Sequence, residues 1–142
     1  MKNLKRALSL VLSTVMLMGM MVVGTGASYA DVDTADNLAA IEILEAVGVM
    51  EGDENGNFNP DAEIKRSEFA AVVCRALGQE AAATSTVSKF PDVSSDHWAV
   101  GYIGWAAGKA IVNGYEDGTF RPRRSLTRAE LATIVWRIRQ LY

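Results

Sequence analysis

The sequence holds one cysteine and one histidine among its 142 residues. Cys74, being alone, excludes an intramolecular disulfide even where export would permit one. It closes the run Ala70-Ala71-Val72-Val73-Cys74, where a buried small hydrophobe is expected rather than a reactive thiol. No serine or cysteine nucleophile is set with His97 in a recognisable pattern, and no group of side chains has metal-ligand spacing. The acidic loop puts Glu51, Asp53, Asn55 and Gly56 at calcium-loop positions one, three, five and six. The twelfth position is Ala62, where a bidentate carboxylate is required, and the later loop has Asn113 and Tyr115 at the first two ligand positions. These absences argue against an enzyme, a metal centre and a cofactor.

Only one hydrophobic run is long, from Leu8 to Val23. It follows Lys2, Lys5 and Arg6 and precedes the small-residue stretch Gly24 to Ala30, the layout of a signal peptide over residues 1–30. Left uncleaved, a run of about 20 apolar residues would anchor the chain in a membrane, and that is the alternative. Cleavage removes three basic residues and no acidic one, taking the net charge from −3 to −6. The remainder is uneven: residues 31–80 carry twelve acidic and three basic side chains, residues 81–142 five and eight.

Compared with itself at an offset of 62 residues, the chain repeats. Ile41, Gly52, Glu54, Gly56, Phe58 and Pro60 align with Ile103, Gly114, Glu116, Gly118, Phe120 and Pro122. Arg66, Glu68, Ala70, Val73 and Arg75 align with Arg128, Glu130, Ala132, Val135 and Arg137. Each copy reads as helix, loop, helix. The second helices carry Phe69, Val72, Val73, Ala76 and Leu131, Ile134, Val135, Ile138 at i, i+3, i+4, i+7, a one-sided stripe. First helices are predicted around 38–47 and 98–110. Asn55-Gly56 and Asp117-Gly118 are tight-turn dipeptides, and Pro60 and Pro122 keep the second helices from starting early. Residues 81–88 read as a small, polar, flexible linker. A unit of about fifty residues buries little surface alone, so the two copies are expected to share a core.

Thr127 and Glu130 form a capping box at the start of the last helix. Arg128 lies between them, where a cation opposes the helix macrodipole, and Arg66 occupies the same place in the first copy although its cap differs. The functional reading is an anion site made of the guanidinium fork and free N–H groups at the helix start; the alternative is an ion pair with a carboxylate such as Glu54 or Glu116. Arg121, Arg123, Arg124 and Arg128 fall within eight residues. Export and the net negative chain argue against nucleic acid and favour an anionic extracellular polymer, a solvated loop being the plain alternative. Trp98, Trp105 and Trp136 have the faces to stack on sugars, but Trp98 is assigned to packing because large aromatics dominate small cores.

The run Phe90-Pro91-Asp92-Val93, then His97-Trp98-Ala99, then Gly114-Tyr115-Glu116-Asp117-Gly118-Thr119-Phe120-Arg121-Pro122, then Leu126-Thr127-Arg128-Ala129-Glu130 resembles an S-layer homology (SLH) motif. Residues 31–80, with Gly52 to Pro60 and Ile64-Lys65-Arg66-Ser67-Glu68, are similar to a diverged first motif, and 89–142 form the second. The resemblance implies an all-α fold of two packed helix-loop-helix repeats behind the signal segment. It also implies a secreted, cell-wall or S-layer associated protein that binds non-covalently to a secondary cell-wall polymer, often pyruvylated, attached to peptidoglycan. Arg128 and Arg66 would be polymer-binding, with Gly114, Tyr115, Asp117 and Gly118 from the loop and Arg121 and Arg124 from the basic cluster. Such regions commonly carry three motifs, and here there are two, the first without the tryptophan and the capping threonine. A complete groove would then form once per chain, or on association with another SLH chain. The alternative function is an assembly module whose acidic first half docks on the basic second half of another chain.

Overall fold

The computed structural model describes residues 29–32 and 37–141, so the stretch read as a signal segment, apart from its last two residues, lies outside the described part. Five helices are described: α1 (Leu38–Ala46), α2 (Arg66–Ala76), α3 (Glu80–Thr84), α4 (Val100–Gly108) and α5 (Arg128–Leu141). The only β-type pairing among the described residues is an isolated bridge between Lys65 and Ser125, and the all-α expectation holds. At the offset of 62, α1 corresponds to α4, and α2 to the first eleven residues of α5. The helix starts fit the reading of the prolines: α2 and α5 begin six residues after Pro60 and Pro122.

The chain divides into two compact units, one ending at Pro60 and the other running from Asp61 to Leu141. In the first, Tyr29, Val32 and Ile41 are buried, with Leu38 and Phe58 packed against them. Tyr29, the penultimate residue of the stretch assigned to the signal, stacks at a tilt on Phe58 with ring centroids 5.4 Å apart and accepts the Gly52 N–H at 2.8 Å. Asp31 accepts the N–H groups of Phe58 and Asn59 at 2.9 and 2.6 Å, clamping the end of the loop.

The second unit combines helices from both copies. Helix α2 of the first copy buries Ala70, Val73 and Cys74 against Ile103 and Ala106 of α4, with Phe90, Ile111 and Phe120 completing the core. Burial of Val73, Ile103, Ile111, Phe90 and Phe120 stabilises the fold by roughly 1.5–3 kcal/mol each. The shared core therefore arises by lending one helix, and the structural boundary falls inside the first sequence copy. Cys74 is fully buried, and burial pushes its thiol pKa up.

The structure departs from the sequence expectations in three places. The stretch predicted as a flexible linker begins as α3, whose Ala83 is buried. Gly101 and Gly104 explain the close approach: a Cβ there would lie 2.2 Å from the Ala83 carbonyl and 2.3 Å from that of Val87. The stripe on α5 is half used, with Ile134 buried and Ile138 partly buried, while Leu131 and Val135 are exposed. Of the tryptophans, Trp105 is buried, whereas Trp98 and Trp136 are 58% and 60% exposed. The packing assignment for Trp98 is thus corrected: it lies in the turn before α4 beside His97, and the small Ala99 takes the core position.

Candidate functional site

Lys65 is extended, with φ −83° and ψ 157°, and its N–H donates to Glu68 Oε2 at 2.8 Å, so α2 starts at Arg66. The next donors are taken by the basic segment: Arg66 N–H donates to the Arg124 carbonyl at 2.9 Å and Ser67 N–H to that of Pro122 at 3.0 Å. The free N–H groups expected at this helix start are therefore already bonded, and what the arginine offers is its guanidinium. The Arg66 side chain as a whole is 6% exposed. Nε donates to the Phe120 carbonyl and Nη2 to the Asn113 carbonyl, both at 2.8 Å, and Nη1 lies 3.5 Å from Glu130 Oε1. Burial lowers its pKa from the ordinary value, opposed by the pull of Tyr115 and Glu130. The ion pair considered for Arg66 does exist, with Glu130 as its carboxylate rather than Glu54 or Glu116.

Tyr115 is the centre of the arrangement. Its ring carries three guanidiniums, at 4.8 Å from Arg66, 4.3 Å from Arg121 and 5.1 Å from Arg124, a set of cation–π contacts that gathers positive charge around one aromatic ring. Its hydroxyl donates to Glu130 Oε1 at 2.7 Å and accepts from Arg124 Nη1. Burial, followed by the bond to Glu130, raises the phenol pKa. Glu130 divides its two oxygens between two tasks. Oε2 closes the predicted capping box, accepting Thr127 N–H at 2.9 Å while Glu130 N–H donates back to the Thr127 hydroxyl at 3.2 Å. Oε1 gathers Tyr115, Arg124 and Arg66. Burial alone would raise this carboxyl, but the hydrogen bonds from Thr127 and Tyr115, together with Arg124, hold it down to about 2.

The loop is built to present these groups. A Cβ at position 114 would lie 2.5 Å from the Phe90 ring and 2.8 Å from the Thr119 carbonyl, so only glycine fits. Gly118 takes φ +80° at the predicted turn. Asp117 accepts from Thr119 and, at 2.8 Å, from Arg121 Nη2; these bonds push its pKa down and that of Arg121 up. Asp92 accepts the N–H groups of Phe120 and Arg121 at 2.8 and 2.6 Å, as Asp31 does in the first unit, and fixes Arg121 at a positive φ of 57°.

A groove of about 270 Å³ opens beside these residues, lined among others by Arg66, Asn113, Gly114, Tyr115, Glu130 and Arg137. A second depression of about 400 Å³ is lined by Asp92, His97, Arg121, Arg123 and Arg124. Of the residues singled out in the sequence, Arg66, Gly114 and Tyr115 line the first groove. Arg121 and Arg124 reach Tyr115, while Asp117 and Gly118 shape the loop. Arg128 is exposed on α5 and does not line either groove. Glu130, Asp92 and Arg137 were not singled out for binding. Glu130 was accounted for as a cap, and nothing in the spacing says that its second oxygen has other partners. The arrangement is suited to holding an anionic group: the first groove sets the guanidiniums of Arg66 and Arg137 against the carboxylate of Glu130, the second depression sets those of Arg121, Arg123 and Arg124 against that of Asp92, and arginine forks bind carboxylates through charge-assisted bonds.

The S-layer homology domain model matches residues 28–70 and 89–132. Among related proteins, a middle cell wall protein of Brevibacillus brevis is 32% identical over 141 residues, 94% of this chain and 13% of that protein. A cellulosome-anchoring protein of Acetivibrio thermocellus is 34% identical over 90 residues, 62% of this chain and 20% of that protein. An amylopullulanase of Thermoanaerobacterium thermosulfurigenes is 35% identical over 115 residues, 76% of this chain and 6% of that protein. The chain thus spans a fifth or less of the length of these relatives. With the family matched over both copies and nearly the whole chain aligned to a cell wall protein, the chain belongs to the S-layer homology domain family and takes its place among secreted, cell-wall and S-layer associated proteins.

Proposed function

We propose that this chain anchors non-covalently to the bacterial cell wall by holding an acidic substituent of a secondary cell-wall polysaccharide, a pyruvyl group above all, in the groove beside Arg66 and Tyr115. The observation that carries the reading is the clustering of three guanidiniums on Tyr115 next to a loop that admits only glycine at position 114. Arg66 has five N–H donors; two go to the Asn113 and Phe120 carbonyls and a third lies near Glu130, so donors remain for a ligand. Arg124, 42% exposed at its side chain, adds charge that a polymer can reach without unfolding the loop. The reading is one of binding without catalysis, as the family's place among surface proteins supports.

The test is co-sedimentation of the purified chain with wall fragments. Arg124→Gln changes an exposed side chain, so the fold is retained and far-UV circular dichroism stays unchanged. The expected result is at least tenfold weaker sedimentation, since charge-assisted bonds contribute about 1.5–3 kcal/mol each. Equal sedimentation of both proteins sinks the reading.

A further inference from the structure

Helix α2 has six buried residues: Arg66, Ser67, Ala70, Ala71, Val73 and Cys74. Their counterparts on α5, at the offset of 62, are Arg128, Ala129, Ala132, Thr133, Val135 and Trp136, and all six are exposed. What covers this face on α2 is chiefly α4, the first helix of the following copy, together with the loop that leads from it. On α5 the same face is open: Ala129 and Thr133 line the groove beside Arg66, and Trp136 and Val135 expose 60% and 56% of their surface. The first helix of the first copy shows the opposite gap. Trp105 on α4 is buried at 7%, whereas Ile43, its counterpart on α1, is 49% exposed, as is Val47. The charges are complementary: α1 carries Glu42 and Glu45 and no basic residue, while α5 carries Arg128, Arg137 and Arg139 against Glu130 alone.

We propose that the open face of α5 is covered by helix α1 of a second copy of this chain, head to tail, as α4 covers α2 within the second unit. The pairing assigns Arg128 a partner. Arg66 reaches the carbonyls of Asn113 and Phe120, and the counterparts of that loop in the first copy run from Glu51 to Phe58. Arg128 of one copy therefore meets the loop of Asp53 and Glu54 on the other. With Asp53 where the second loop has Tyr115, that contact makes an ion-paired joint and not a second anion groove. The interface is heterologous, so copies either close into a ring or extend into a strand.

Sedimentation velocity of the exported chain, without wall polymer, tests this, and its failure leaves the groove reading untouched. The wild-type chain associates with rising concentration, less so at high salt. Trp136→Glu and Ile43→Arg alter exposed residues, so each variant folds, as circular dichroism verifies, and each raises the dissociation constant at least tenfold. Mixed in equal amounts, the two variants form a one-to-one complex, because the intact α1 of one meets the intact α5 of the other. A wild-type chain that stays monomeric at every concentration overturns the proposal. So does association that Trp136→Glu abolishes and Ile43→Arg leaves intact, which would mean that α5 pairs with itself.

Discussion

Replacing Glu130 with Gln keeps the side chain's size and removes the charge that ties Tyr115, Arg124 and the buried Arg66 together. Its carboxyl is held down from 4.5 to about 2. At ~1.4 kcal/mol per pH unit that depression corresponds to about 3 kcal/mol of stability. The side chain is 24% exposed, and solvent screening reduces the expected loss to roughly 2 kcal/mol at pH 7. The sign follows from the direction of the shift. A carboxylate whose folded pKa lies below its unfolded value contributes fully above the unfolded value, here 4.5, and its contribution vanishes as pH falls through the folded value near 2. Urea unfolding of wild type and Glu130→Gln at several pH values therefore shows a gap of roughly 2 kcal/mol from pH 7 to about 5, shrinking steadily below that and nearly gone at pH 2. A gap that is constant down to pH 3, or under about 0.5 kcal/mol at pH 7, refutes the assignment of Glu130 as the hub of the cluster.

Gly114→Ala places a methyl 2.5 Å from the Phe90 ring, and the strain is expected to cost about 1–3 kcal/mol in thermal unfolding. Trp105→Ala, at a buried site, costs about 3–5 kcal/mol, whereas Trp98→Ala, at an exposed one, stays within about 0.5 kcal/mol. Asp92→Asn loses charge-assisted bonds to Phe120 and Arg121, and the loosened loop appears as faster amide hydrogen exchange at those two residues. Cys74 fails to react with a thiol reagent in the native chain and reacts fully in denaturant, as its complete burial requires.

Local signals in the sequence translated well. The turn dipeptides became positive-φ glycines at 56 and 118, the Thr127–Glu130 box formed, and the duplication set the correspondence of α1 with α4 and α2 with α5. Of the residues proposed to line the groove, Arg66 and Gly114 are marked by the repeat, at Arg128 and Gly52, whereas Tyr115 aligns with Asp53 and is marked by the family motif alone. What stayed hidden depends on tertiary partners. Nothing local says that α2 leaves its own copy to pack on α4, since its apolar positions suit either neighbour. The polar composition of residues 81–88 conceals that Gly101 and Gly104 leave room for this backbone. Leu131 and Val135 stay exposed for a related reason: helical spacing identifies a stripe, but not whether another helix arrives to cover it, and the size of Trp98 does not say that the small Ala99 takes the core position beside it. Glu130 had a sufficient local explanation as a cap, and the second use of its carboxylate depends on a loop fifteen residues away.

The role proposed for the groove beside Arg66 and Tyr115 is to hold an acidic sugar substituent. Calorimetric titration of the purified chain with isolated wall polysaccharide, before and after chemical removal of its pyruvyl groups, measures this directly. Binding to the intact polymer is expected to saturate, and to weaken at least tenfold when the pyruvyl groups are removed and by a similar factor in Arg124→Gln. Undiminished binding to the stripped polymer, or an Arg124→Gln chain that binds as wild type does, would contradict it.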